Sequence, residues 1–138
     1  MEKLLVPFAP YAYAILRIVL GLLFISHAGQ KLFGCFGGQP VPLGSLFGAA
    51  GMIEIVLGVM ITIGLFAGCA AFIASGEMAV AYFIGHFPKS FWPLANGGEP
   101  AVLFCFTFLY IATQGAGIWS VDAARADTGS EIPVRRVS

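Results

Sequence analysis

Four apolar runs, each long enough to cross a bilayer, constrain this sequence more than any other feature. A transmembrane helix needs about 20 mostly apolar residues, and a helix satisfies its own backbone hydrogen bonds where no water is present. The sequence therefore predicts an all-α fold, specifically an integral membrane bundle of four antiparallel helices. The predicted helices cover about residues 11–33, 46–66, 69–87 and 100–118.

The composition agrees with a membrane location and argues against one class of partner. Hydrophobic residues make up 59% of the 138 residues and charged residues 10%, whereas a soluble domain has about 25% charged residues. The formal net charge is zero, and no basic stripe of the kind that binds nucleic acid is present. We therefore expect the lipid bilayer to be a partner and nucleic acid not to be one.

The connections predict one transmembrane domain over residues 1–122 and a polar tail over residues 123–138. Only Ala67-Gly68 separates the second run from the third, which favours a tight helical hairpin. The segment 34–45 is rich in Gly and Pro and predicts a loop. The tail has few aromatic residues and is expected to be flexible.

The basic residues predict the orientation of the four helices. Four crossings place both termini on one side, and this side has the larger number of basic residues. The positive-inside rule then predicts cytoplasmic termini. The basic residues on the terminal side are Lys3, Arg125, Arg135 and Arg136, and those on the opposite side are Lys31 and Lys89.

Ionisable residues within the apolar runs should face the interior of the bundle. A charge at membrane depth costs roughly 2.5–3.5 kcal/mol on insertion scales. At about 100° per residue, such residues and their apolar neighbours form one face on each of the first two helices. Small residues on the second face allow close helix contact. The two faces are Arg17, Phe24, His27 and Lys31 on the first helix, and Gly51, Glu54 and Gly58 on the second.

His27, Glu54 and Glu77 are predicted to meet in the outer half of the bundle. At a rise of about 1.5 Å per residue, they lie about 9, 12 and 15 Å below the outer ends of their helices. Three basic residues form the expected roof of this cluster, namely Lys31, His86 and Lys89. Mutual neutralisation lowers the cost of burying such charges.

Two interpretations of this cluster remain open. In the first, it is a structural network of ion pairs and hydrogen bonds. In the second, it is a quinone head-group pocket or a proton relay, in which His27, Glu54 and Glu77 exchange protons as catalytic residues. Gln30 and Lys31 are then candidates to orient a carbonyl or anionic oxygen at the mouth. His86 joins these two as a candidate cofactor-binding residue.

A metal site is a weaker interpretation, and we expect none. His27, His86, Glu54 and Glu77 have suitable ligand atoms, but no H-x-x-x-H or C-x-x-C spacing supports a metal centre. On an ideal helix Glu77 and His86 also point about 180° apart, so a kink is required before both can face one site.

The segment VAYFIGHFPKSFWPLANGGEP, residues 80–100, is interpreted first as a turn and second as a lid over the cluster. Pro88 disfavours helix at the residue before it, and Asn96 or Glu99 can cap the fourth helix. These roles leave His86 and Lys89 unexplained, and a loop folded over the polar cluster accounts for both.

Four segments together resemble the DoxX family of small bacterial membrane proteins, and they cover about residues 16–122. The resemblance implies a four-helix protein of the bacterial inner membrane, linked to oxidoreductase systems that include a thiosulfate:quinone oxidoreductase subunit and a partner of superoxide dismutase. The segments are LRIVLGLLFISHAGQKLFG, GMIEIVLGVMITIGLF, EMAVAYFIGHFPKSFWPLANGGE and GAGIWSVD.

Three functional hypotheses follow. The first is a multi-pass membrane subunit of a bacterial oxidoreductase system, linked to a quinone and assembled with other membrane or redox subunits. The second is a non-catalytic accessory subunit that packs against a larger membrane complex through its uniformly apolar fourth helix. The third is an oligomeric carrier for a small solute or a proton, which the buried charges favour.

Overall fold

The computed structural model describes residues 2–129, and this part of the chain is helical without any strand. Three short helical turns accompany the main helices: 3-10 turns at Val6–Phe8 and Cys35–Gly37 and a π-helical turn at Tyr82–His86. The α-helices are α1 (Glu2–Leu5), α2 (Ala9–Phe33), α3 (Leu46–Ile63), α4 (Ala67–Ala81), α5 (Pro93–Asn96), α6 (Glu99–Gln114) and α7 (Val121–Gly129).

Three helical segments within the described range have the length and composition of membrane spans. They are Lys3–Phe33, Leu46–Ile63 and Ala67–His86, with 31, 18 and 20 residues. The fourth predicted span is shorter than expected, because α6 has 16 residues and ends at Gln114. Gly115 follows it with φ 76° and ψ −158°, a conformation that cannot continue an α-helix.

The turn between α3 and α4 lies a few residues earlier than the sequence predicts. Gly64 adopts a left-handed conformation, with φ 72° and ψ 40°, and ends α3. Phe66 is also left-handed, and α4 begins at Ala67. The hairpin therefore turns at residues 64–66 and not at Ala67-Gly68. We call this end of the molecule the hairpin end, and the opposite end, with residues 34–45 and 87–98, the loop end.

The long helices pack mainly as two pairs, α2 with α3 and α4 with α6. The backbones of the first pair approach closely, since a Cβ atom on Gly21 would lie 2.9 Å from the carbonyl oxygen of Gly58. Gly51, Glu54 and Gly58 are all buried, which confirms the predicted contact face of α3. In the second pair, Ser75 Oγ donates to the Cys105 carbonyl at 2.8 Å.

Aromatic side chains join the two pairs in the middle of the molecule. The ring of Phe24 on α2 is fully buried. Its centroid lies 5.7 Å from that of Phe104 and 4.9 Å from that of Phe108, both on α6. These large side chains hold the pairs together at a greater backbone separation than the glycine contacts within α2 and α3.

The end of the described chain is helical where the sequence predicts a polar tail. α7 covers Val121–Gly129, and the side chain of Asp122 at its start is held by backbone hydrogen bonds. These bonds anchor the beginning of the predicted tail to the α3–α4 turn. The remainder of that tail, including Arg135 and Arg136, lies outside the described residues.

Candidate functional site

Arg17 is fully buried at the hairpin end and caps the C-terminus of α3. Its Nη1 atom donates to the carbonyl oxygens of Ile61 and Thr62 at 2.7 and 2.8 Å. Its Nη2 atom donates to the Trp119 carbonyl at 2.7 Å, while Nε has no partner within residues 2–129. The last carbonyls of a helix lack intrahelical donors and carry partial negative charge, so a guanidinium there is stabilising.

Asp122 completes the hairpin end with the opposite charge. Its carboxylate oxygens accept from the backbone N–H groups of Phe66, at 3.0 Å, and Ala67, at 3.2 Å. Its own N–H donates to the Gly64 carbonyl at 3.0 Å. An anion at a helix N-terminus is favourable, so one turn has a cation at the end of α3 and an anion at the start of α4.

The loop end contains an ion pair between Lys31 and Glu54. Lys31 Nζ lies 2.5 Å from Glu54 Oε1, and the two side chains are 29% and 1% exposed. The second oxygen of Glu54 is buried and has no donor among residues 2–129. Lys31, predicted to roof the cluster, is therefore the direct partner of Glu54.

Glu77 lies close to this pair but has no hydrogen bond to it. Both of its carboxyl oxygens are buried and lack a donor in the described part of the chain. It is near enough to Glu54 and Lys31 to interact electrostatically with each of them. Lys31 can balance only one of the two acidic groups, so the three side chains together hold an excess of acceptor atoms.

A cavity of about 350 Å³ lies between α3 and α4, beside the ion pair and Glu77. Lys31, Glu54, Glu77 and His86 all line it. The rest of the cavity wall is apolar. The outer part of this wall is formed by side chains that are about half exposed on the helix surface. We call it the lateral cavity, and these outer wall residues are Phe47, Ile53, Val80 and Ile84.

A second cavity, of about 240 Å³, lies beside the first and below the loop after α4. Lys31, Glu54 and His86 line both cavities, whereas His27 lines only the second and Glu77 only the first. We call the second one the loop cavity. The predicted convergence of His27, Glu54 and Glu77 in a single cavity is therefore not found.

The position of His27 explains this difference. Its side chain is exposed, and its ring packs edge-on against Phe104 with centroids 5.5 Å apart. Gln30 is also outside the lateral cavity, because it lines a shallow pocket with His27 and Phe36. The sequence predicts His27 on the inward face of α2 with Arg17 and Phe24, but in the structure its side chain is exposed and lies at the edge of that face, against Phe104 of α6.

The π-helical turn supplies the kink that Glu77 and His86 need to face one site. The Phe87 N–H bonds to the Tyr82 carbonyl at 2.9 Å, an i→i+5 hydrogen bond that places more residues in the turn than an α-helix has. Each residue of this turn then rotates the chain by a smaller angle about the helix axis. The angle between the directions of Glu77 and His86 therefore falls below the value of about 180° in an ideal α-helix. Both side chains accordingly line the lateral cavity.

The imidazole ring of His86 is also hydrogen-bonded to the loop after α4. Its Nδ1 atom lies 3.2 Å from the Asn96 carbonyl oxygen. Because a carbonyl oxygen can only accept, Nδ1 carries the proton in this contact, and the Nε2 atom of neutral His86 is an acceptor. A Cβ atom on Gly98 would lie 2.8 Å from His86 Cβ, which accounts for a glycine at this position.

Asn96 and Tyr82 organise the loop above the cavities. Asn96 is buried, its Nδ2 atom donates to the Ser90 carbonyl at 2.7 Å, and its Oδ1 atom accepts from Gly98 N–H at 2.7 Å. The Tyr82 hydroxyl donates to the Phe91 carbonyl at 2.6 Å. Asn96 thus shapes the turn before α6, whose N-cap is Gly98 and not Asn96 or Glu99.

The remaining predicted roof residue lies apart from the cavities. Lys89 is exposed and lines neither of them. The sequence predicts no role for the Tyr82 hydroxyl, which bonds the loop at the Phe91 carbonyl. Residues 2–129 also contain no group of three or more His, Cys, Asp or Glu side chains placed to hold a metal ion.

Comparison with known proteins agrees with the resemblance seen in the sequence. The DoxX family model matches residues 12–87, and a Haemophilus influenzae protein described as "Uncharacterized protein" is 41% identical over 122 residues. The chain belongs to the DoxX family. The aligned region covers 83% of this chain and 91% of the Haemophilus protein. No solved structure matches the chain significantly.

The family match includes the groups that line the lateral cavity. Lys31, Glu54, Glu77 and His86 all fall within the matched residues 12–87, whereas α6 lies beyond them. Together with the three apolar helices of spanning length, the family identifies the chain as a membrane protein. The lateral cavity is therefore formed by the segment on which the family assignment rests.

Proposed function

We propose that this protein is a membrane subunit of a bacterial oxidoreductase system and that its lateral cavity binds the head group of a quinone or quinol. The observation that carries the proposal is that Glu54 and Glu77, which hold three buried carboxyl oxygens without a donor among residues 2–129, line a cavity whose other polar side chains are Lys31 and His86 and whose remaining wall is apolar. Ligand sites generally combine apolar walls with a few polar groups that fix orientation. A head group at the acids and a tail along the exposed apolar wall fit this arrangement.

The same proposal includes a multi-pass topology, in which α2, α3, α4 and α6 cross the inner membrane as an antiparallel four-helix bundle with cytoplasmic termini. The sequence supports this orientation, because Lys3, Arg125, Arg135 and Arg136 on the terminal side outnumber Lys31 and Lys89 on the other. With 16 residues, α6 is about 24 Å long and shorter than a bilayer core of about 30 Å. Local thinning of the bilayer accommodates such a mismatch at modest cost.

Photolabelling in nanodiscs tests the ligand. A decyl-benzoquinone that carries a photoreactive azide should label the cavity walls around Phe47 and Ile84, and unmodified decyl-benzoquinone should compete. Ala50 lines the lateral cavity, so Ala50→Phe should block the labelling by filling space. Ala95 is exposed on α5, and Ala95→Phe is the matched control that should label as the parent protein does. Labelling spread over all exposed helices without competition contradicts the proposal.

An accessory role beside a larger membrane complex is a second candidate, favoured by the outer surface of α6. Leu103, Phe106 and Tyr110 are 59%, 65% and 50% exposed, and this helix is one side of the α4–α6 pair. An apolar stripe of this kind serves for lateral helix contact as well as for lipid. Mild detergent extraction should then yield a stoichiometric complex with other membrane or redox subunits, and Phe106→Ala should weaken it.

A further inference from the structure

The hydrogen-bonding groups of the lateral cavity are unevenly divided between acceptors and donors. Three carboxyl oxygens, Glu54 Oε2 and both oxygens of Glu77, have no donor among residues 2–129. In its neutral form His86 adds a fourth acceptor, because Nδ1–H donates to the Asn96 carbonyl and Nε2 then has a lone pair. All three side chains line the same cavity.

Among the described residues that line the cavity, Lys31 is the only side-chain donor apart from the titratable acids and histidine. One of its N–H groups already bonds Glu54 Oε1, and its side chain reaches partly outside. The remaining lining side chains belong to Gly, Ala, Val, Leu, Ile, Met and Phe residues, which have no N–H or O–H group. The described cavity therefore needs donors from its occupant.

The redox forms of a quinone differ in whether they donate or only accept hydrogen bonds. The oxidised form presents two carbonyl oxygens, which only accept, whereas the reduced form presents two hydroxyl groups, which donate. A buried acceptor that loses water and gains no donor is costly, and a hydrogen bond to a charged acceptor is stronger than a neutral one. The two forms have nearly the same size, so this difference decides between them.

We propose that the lateral cavity selects the hydroquinone form over the quinone form, with the two hydroxyl groups donating to Glu77 and to Glu54 Oε2. This inference rests on the proposed function. Glu54 is 1% exposed, so its free oxygen cannot turn to bulk water. Protonation of one carboxyl adds a single donor, and at least two of the four acceptors still lack one.

Competition against the photoreactive quinone in nanodiscs, under anaerobic conditions, tests the selection. The competitors are decyl-hydroquinone, decyl-benzoquinone and the dimethyl ether of decyl-hydroquinone, which keeps the ring and lacks both donors. Decyl-hydroquinone should compete at least about tenfold better than the other two. In Glu77→Gln, whose amide supplies a donor of its own, the preference should fall to about threefold or less.

The outcomes separate the two proposals. Equal or stronger competition by decyl-benzoquinone overturns the selection of hydroquinone and leaves quinone binding intact. If the photoreactive quinone labels no site and no compound competes, the proposed function fails and this inference fails with it. The comparison with the dimethyl ether uses the unmodified protein, so it decides the question whether or not Glu77→Gln folds.

Discussion

The charged side chains at the two ends of the helices differ in how completely they are hydrogen-bonded. At the hairpin end, both terminal nitrogens of Arg17 and both carboxylate oxygens of Asp122 have backbone partners. At the loop end, Glu54 and Glu77 hold three buried oxygens without a donor in the described chain. Both ends bury charge, but the hairpin end leaves only Arg17 Nε without a partner among residues 2–129, whereas neither oxygen of Glu77 at the loop end has one.

This difference separates a stabilising role from a ligand-binding role. Buried polar groups in proteins are nearly always paired, and an exception calls for an explanation such as function or an unseen ligand. Arg17 and Asp122 need no ligand, because the carbonyls and amides that they bond belong to the ends of α3 and α4. Glu77 contributes nothing comparable to stability. Mutations at the two ends should therefore have opposite effects on the free energy of unfolding.

Arg17→Met should have the largest effect. It removes the Arg17 donors to the Ile61, Thr62 and Trp119 carbonyls, of which the Ile61 carbonyl keeps the Gly64 N–H as a partner at 3.2 Å. We expect a loss of about 3–5 kcal/mol in the free energy of unfolding, because each buried carbonyl that loses its donor costs about 1–3 kcal/mol. Unfolding in mixed micelles measures it. Arg125 is exposed, and Arg125→Met is the control; equal stability of the two variants contradicts the role given to Arg17.

Glu77→Leu should have a smaller effect of opposite sign. It removes two unpartnered carboxyl oxygens and adds apolar volume beside the apolar wall of the lateral cavity. The free energy of unfolding should rise by about 1–3 kcal/mol, and hydroquinone binding should be lost. The same micelle titration measures stability, with Glu99→Leu on the exposed start of α6 as control. A destabilised Glu77→Leu protein would mean that Glu77 has a stabilising partner.

His27→Gln should have the smallest effect. His27 is exposed, and no hydrogen bond to its ring is found in the described chain. We expect a change below about 0.5 kcal/mol and unaltered labelling of the lateral cavity by the photoreactive quinone. His86→Gln is the informative comparison, because His86 lines that cavity and its replacement should weaken labelling. Lost labelling in His27→Gln would restore the convergence that the sequence predicted.

The apolar runs and the glycine face of α3 could be predicted from the sequence because both follow from local spacing. Run length is a count of residues, and the face of Gly51, Glu54 and Gly58 follows from one helical period. Rise per residue also places Glu54 and Glu77 at similar depths. Depth along a helix is therefore predictable for residues that lie within a regular segment.

The division of the site into two cavities could not be predicted in this way. It depends on how α2 is rotated about its own axis relative to α6. This rotation brings His27 against Phe104 and lets the longer Lys31 side chain reach Glu54. It also depends on the π-helical turn, whose shifted hydrogen bonding has no clear sequence signal. The end of α6 at Gly115 was missed because the apolar run continues past it.

The α3–α4 turn has a mechanical consequence. Hydrogen bonds to Asp122 hold Gly64 and Phe66, and one to Arg17 holds Thr62 just before the turn. Both α3 and α4 pack more extensively against another helix than against each other. The two helix pairs are thus joined by hydrogen bonds at the turn and by aromatic side chains halfway along their length. Over the 18 residues of α3, a rotation of about 5° about the α3–α4 turn moves the far end of the helix by about 2 Å. A bulky molecule dissolved in the bilayer could then enter the lateral cavity while the hydrogen bonds of the turn stay intact.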